Sequence, residues 1–213
     1  MFPKIALKNL IRRAIGELQN EGLPVELAIQ YVIVLALEGM AEEGVVKIGS
    51  STRLSMDAIS SEVDQWFKGR SATPSGDDLN PLHLQIRNVW KGTSLDVKPA
   101  VMVFEFYRII EEKSRLMSGP DFPTTPSLSV LFAVLAPGLR VLNLGSGVGQ
   151  LARAYGFSGS NVSAQEVNRG IARTHQLLAT LDGYELDLRL GDVVSEFHAD
   201  WLNKPFDAVV TNP

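Results

Sequence analysis

The sequence contains no cysteine, which excludes disulfides and thiolate metal sites. It has no uncharged apolar run of about 18 residues, the length a membrane helix needs. The longest candidate, Leu27 to Leu37, is too short. The amino terminus also lacks a signal-peptide pattern. These absences fit a cytoplasmic protein of bacterial or archaeal type. An excess of positive charge is missing as well: the net charge is −4, with 14 basic against 15 acidic groups over residues 1–115 and 6 against 9 over residues 116–213. A chain that grips nucleic acid unaided normally shows a basic face, so any such grip has to come from elsewhere. Three histidines, His83, His175 and His198, lie far apart without metal-ligand spacing. Each reads as a surface or capping residue. No internal repeat is visible.

What is present is globular: 213 residues, 45% apolar and 21% charged, enough for one large domain or two small ones. The first 70 residues read as helical. Ile5, Leu7, Leu10, Ile11, Ala14, Ile15 and Leu18 form a helical stripe, with Lys8, Arg12 and Arg13 on its solvated side. Val25 to Gly39 reads as a second, mostly buried helix, and Val45 to Ile48 as a short strand or turn. Ser55 to Phe67 reads as a third helix with Ser55 as its cap, and Trp66 and Phe67 as core anchors. Arg70 to Pro81, rich in Ser, Gly, Pro and Asp, is a loop or linker. Further helices are expected over Leu82–Trp90, Lys98–Met117 and Leu128–Ala136, the last two separated by a second break around Ser118–Pro126.

The most informative stretch is Arg140 to Ala152. Val141, Leu142 and Leu144 suit a strand covered on both faces. Gly145, Gly147 and Gly149 then alternate with Ser146 and Val148 before a helix. Glycine admits positive φ and lets a ligand press on the backbone, and a helix start directs free N–H groups at a bound polar group. The spacing is G-x-G-x-G and not the G-x-G-x-x-G of dinucleotide folds. Taken alone it fits a nucleotide-type site or an ordinary strand-to-helix turn. A second strand, Asn161 to Glu166, ends in a carboxylate 21 positions after Gly145, near the offset of about 20 at which an acid meets ribose hydroxyls. A third, Leu186 to Leu190, leads into Gly191-Asp192. A fourth, Phe206 to Val210, leads into Thr211-Asn212-Pro213 and is expected to pair beside the Val141 strand, away from the Glu166 strand. Each run meets a polar group at its carboxyl end, the rim where open α/β sheets hold ligands.

Taken together, these segments resemble the S-adenosylmethionine-dependent, amino-group DNA methyltransferases, close to the modification subunit of type I restriction–modification systems. The glycine segment resembles the family's cofactor motif. Ala164-Gln165-Glu166-Val167-Asn168 is similar to its "GQExN" stretch, and Phe206 to Pro213 to its "FDxVxxNPP[F/Y]" catalytic motif. Gly119 to Pro126 is similar to its "G-x-F-x-T-P" segment, with an extra proline and threonine. The match covers roughly residues 117–213. It implies an α/β fold: a helical domain over residues 1–117, then a partial class I methyltransferase (Rossmann-like) sheet over residues 118–213.

The resemblance also assigns roles. Gly145, Ser146, Gly147 and Gly149 would cradle the methionine part of the cofactor, joined by Thr124, Thr125 and Pro126, with Thr125 as the hydroxyl or backbone contact. Glu166 would accept both ribose hydroxyls, Val167 pack on the adenine ring, and Asp192 accept from the adenine amino group. Asn143 stands where the family usually has Asp, which weakens an expected carboxylate contact. The Asn212 side-chain oxygen and the Pro213 carbonyl would hold the two N–H groups of an exocyclic base amine. The implied activity is N6 methylation of DNA adenine, with DNA and the specificity and restriction subunits as partners and no membrane. Related "NPP" motifs also serve RNA and the glutamine amide of proteins, and a non-catalytic pairing module is a third reading. The motif's second proline and aromatic residue would follow Pro213. The expectation is therefore an amino-terminal portion of a longer enzyme, inactive alone and prone to self-association through an uncovered strand edge.

Overall fold

In a computed structural model of the chain, residues 4–68, 99–116, 124–196 and 198–212 are described. The expected loop Arg70–Pro81, the expected helix Leu82–Trp90, His83, the segment before Thr124, and Pro213 lie outside them. Two compact units are present, Met1–Glu112 and Lys113–Pro213.

The first unit is helical. Helices α1 (Lys4–Asn20), α2 (Val25–Glu42) and α3 (Ser50–Lys68) follow in order, and α4 (Pro99–Leu116) begins within it. Helix α2 is apolar on nearly every face, and its twelve buried residues run from Ala28 to Met40, as expected of a helix enclosed by neighbours. Both α1 and α3 pack against it. Leu7, Ile11, Ile15 and Leu18 supply the buried stripe of α1. On its outer side Arg12 pairs with Glu112 of α4, and Arg13 with Glu17 at 2.7 Å. Phe67 is buried. Ser55 is not a cap: α3 starts five residues earlier, at Ser50, and the Ser55 hydroxyl donates back to the Ser51 carbonyl at 3.2 Å. A mid-helix serine takes that bond when no cap is needed. Val45 to Ile48 form no strand.

The second unit has α5 (Pro126–Leu135), β1 (Arg140–Leu144), α6 (Gln150–Phe157), β2 (Asn161–Glu166), α7 (Arg169–Asp182), β3 (Leu186–Leu190), a 3₁₀ turn (Ala199–Asn203) and β4 (Ala208–Thr211). All strand pairs are parallel, in the order β3-β2-β1-β4. The chain steps outward from β1 to β3, then returns to the other side of β1. That reversal makes a topological switch point between β1 and β4, where parallel sheets open a crevice at their carboxyl ends. Val141, Leu151, Ala152, Tyr155, Val162 and Val210 form one core cluster, with Phe132 and Ala133 of α5 against it, and Leu177, Leu178 and Leu181 of α7 are buried as well. Tyr155 spends its hydroxyl on the carbonyls of Phe132 (3.0 Å) and Ala136 (3.1 Å), which ties α6 to the end of α5. Burial raises its pKa.

β4 starts two residues later than the sequence suggests, at Ala208, although the Asp207 N–H already donates to the Arg140 carbonyl at 2.9 Å. The Asp207 carboxylate accepts the N–H groups of Leu139 and Arg140, both at 2.8 Å. The Arg140 guanidinium covers the Phe206 ring and donates to the Lys204 and Pro205 carbonyls. These contacts lock β4 to β1 at the amino end of the sheet, opposite the crevice. The first two residues of the "FDxV" match are thus structural. Among the described residues, no helix is long and apolar enough to cross a membrane.

Candidate functional site

β1 ends at Leu144, and Gly145 and Gly147 follow with φ of 61° and 56°. An added Cβ at either would meet nothing within 4 Å, so space stands open before this backbone. Gly149, with φ of 92°, caps α6, and here the requirement is different. A Cβ on Gly149 would overlap the ring of His175, which closes off the inner side of the turn.

His175 corrects the sequence reading. It is no surface residue: α7 carries it wholly inside the protein. Nδ1 lies 3.1 Å from Ser146 Oγ and Nε2 3.2 Å from the Tyr184 hydroxyl. Burial pushes its pKa down to about 3, so the ring is neutral at ordinary pH. Its spacing from Ala172 and from Leu178 and Ala179, all buried on α7, is the helical signal that places it inside. His198 is half-buried and meets Trp201 edge-on at 5.2 Å.

Glu166, at the end of β2, is buried. Oε2 accepts the Gly147 N–H at 2.8 Å and Oε1 the Asn168 N–H at 2.9 Å. A carboxylate has about four lone-pair sites, so each oxygen retains room for another donor. The Ser146 N–H donates to the Gln165 carbonyl at 3.0 Å, which binds the turn to β2 a second time. Asn168 caps α7 through Oδ1, accepting from Gly170 and Ile171. Val167 between them is 66% exposed, an apolar surface beside the acid.

The remaining candidates divide. Asp192 follows β3, and its carboxylate accepts the Val194 N–H (2.9 Å) and the Ser195 hydroxyl (3.0 Å). Those two bonds, the Val194 one first, lower its pKa. Asn143 lies inside the sheet between Ala164 and Val210, almost wholly buried, and its Nδ2 has no hydrogen-bond partner among the described residues. Thr125 caps α5: its Oγ1 accepts the Leu128 N–H at 3.3 Å and Pro126 opens the helix. Thr124 does something else. Its Oγ1 accepts a hydrogen bond from Asn212 Nδ2 at 3.0 Å. Thr211 pairs with Leu144, so Asn212 comes out alongside Gly145. The switch point therefore gathers Thr124, the glycine turn, Glu166 and Asn212, while Asp192 sits at the end of the outer strand β3. Sequence reasoning named both Thr124 and Asn212 but not their contact, and it missed His175.

No family model matches the chain, and no curated protein matches it. Among solved structures, it is similar to a proposed class I S-adenosylmethionine-dependent methyltransferase from Listeria monocytogenes, with a TM-score of 0.61 and 14% identity. The likeness covers 98% of this chain, which spans 58% of the length of that one. At such identity it is a likeness of fold alone: a helical unit followed by a partial, Rossmann-like parallel sheet.

Proposed function

We propose that the protein is an S-adenosylmethionine-dependent methyltransferase that acts on the 6-amino group of adenine in DNA. The observation that carries this reading is the placement of Asn212 at the end of β4, beside the open glycine turn and across the switch point from Glu166.

The residues fit the cofactor. Gly145 and Gly147 leave open space against positive-φ backbone, where a methionine part could lie close. Glu166 keeps acceptor capacity for ribose hydroxyls, and exposed Val167 offers a face for a purine. When bound, S-adenosylmethionine supplies an electrophilic methyl group on a sulfonium. An exocyclic base amine is a weak nucleophile, because its lone pair is delocalised into the ring. Asn212 Oδ1 would accept one amine N–H and the Pro213 carbonyl the other, drawing the nitrogen toward a pyramidal geometry. Catalysis is then mainly positioning and electrostatics, and the base must leave the duplex to reach the site.

Residues 116–213 carry 6 basic against 9 acidic groups, too few positive charges to hold a phosphate backbone unaided. We assign the grip on DNA to partners, the specificity and restriction subunits that the motif resemblance implies. The test is titration with S-adenosylmethionine by calorimetry, then nucleoside analysis of unmethylated DNA incubated with the intact protein, its partner subunits and labelled cofactor. Binding with N6-methyladenine as product is expected. N4-methylcytosine would change the substrate, and labelled RNA or protein with unlabelled DNA would overturn the DNA assignment.

A further inference from the structure

Asn212 is held from a distant part of the chain, and this bears on which substrate the site accepts, granted the methyltransferase reading above. A side-chain amide has an acceptor end and a donor end, and its terminal torsion is soft. With the NH₂ end forward it would meet a substrate carbonyl or hydroxyl oxygen. With the oxygen forward it would meet an amine. Something must choose between the two.

The Thr124 contact bears on that choice, because its hydroxyl, which could serve either end of the amide, meets the Nδ2 end. The following Thr125 is extended, with φ −70° and ψ 152°, as the residue before a proline prefers. Its hydroxyl is committed to Leu128, and its carbonyl accepts both the N–H and the hydroxyl of Ser129, at 2.9 and 3.0 Å. Thr125 thus anchors the start of α5 and leaves Thr124 to face the sheet edge. Parallel pairing with β1 fixes the other partner, because Thr211 lies in register with Leu144 and Asn212 comes next. The Thr124 oxygen takes the Nδ2 end of the amide.

We infer that Thr124 is a positioning residue, which holds Asn212 with Oδ1 toward the substrate and so tunes the site for an amine donor. Thr124 moves no proton and contacts no reacting atom; it acts through Asn212. The doubled threonine then has a division of labour. One hydroxyl caps a helix, the other orients the amide.

The test uses Thr124→Val, which removes the hydroxyl at constant shape, with Thr124→Ser as the conservative control, in the intact protein. Loss of one orienting hydrogen bond is expected to lower kcat about tenfold while S-adenosylmethionine affinity holds, and Ser should restore most of the rate. Unchanged kcat would overturn the inference, and so would weakened cofactor binding that Ser fails to restore. A second readout needs no activity: the Asn212 side-chain amide resonances, assigned by their loss in Asn212→Asp. One Nδ2 proton should shift in the Val variant and stay in place in the Ser variant; no shift with Val would overturn the contact. Absence of methyl transfer by the parent would reject the proposed function and leave the amide spectrum to decide the role of Thr124.

Discussion

His175 Nδ1 stands 3.1 Å from Ser146 Oγ, so a buried imidazole on α7 supports the glycine turn from within. Its neighbours on both ring nitrogens are hydroxyls, those of Ser146 and Tyr184; neither offers a charge to offset a protonated ring. This gives a pH prediction. The folded pKa, about 3, lies below the ordinary 6.5, so the unfolded chain binds the proton first. The stability from neutral His175 is complete above the unfolded value and is lost as pH falls toward the folded one, at about 1.4 kcal/mol per pH unit. Denaturant unfolding at pH 7 and pH 5 should show the parent weakening more steeply than His175→Gln. Equal slopes would mean that the ring is not held neutral.

The glycines of the turn should differ in what they tolerate. Gly149→Ala imposes left-handed strain and drives a methyl into the His175 ring, at a cost of about 3 kcal/mol. Gly145→Ala imposes the strain alone, in open space, at about 1 kcal/mol, while filling part of the cradle. Thermal unfolding checks the first difference. Calorimetry checks the second: the Gly145 variant should bind S-adenosylmethionine more weakly than the parent, by more than its lost stability accounts for.

Glu166 has a structural role and a proposed binding role. Removing its carboxylate leaves the Gly147 and Asn168 N–H groups without their acceptor and removes the proposed ribose ligand. Glu166→Ala should weaken S-adenosylmethionine binding by about 1–3 kcal/mol. Calorimetry that returns the parental affinity would remove Glu166 from the cofactor site.

Much of the second unit was legible in the sequence. Asn161–Glu166 and Leu186–Leu190 are strands with the expected bounds, one followed by the helix cap Asn168 and the other by Gly191. β4 also pairs on the expected side of β1, away from β2. Some of what stayed hidden has no local signature. Asp207 looks like a motif acid until its hydrogen bonds to Leu139 and Arg140 show it to be a clamp. The Thr124–Asn212 bond joins positions 88 apart, a separation no periodicity reports. Ser55 was misread as a cap because polar residues preceding an apolar stripe look alike whether they lie inside the helix or before it. His175 was misread because a polar side chain on a buried stripe counts against burial until its partners, Ser146 and Tyr184, are known.

The proposed role of Asn212 lies in methyl transfer and not in cofactor binding. It is tested by comparing parent and Asn212→Ala in the intact protein, with S-adenosylmethionine affinity from calorimetry and N6-methyladenine formation from labelled cofactor and unmethylated DNA. Loss of the proposed acceptor of the reacting amine should cut the rate by about a hundredfold or more, with affinity nearly unchanged because no cofactor contact is assigned to Asn212. Transfer by Asn212→Ala at the parental rate would contradict the account.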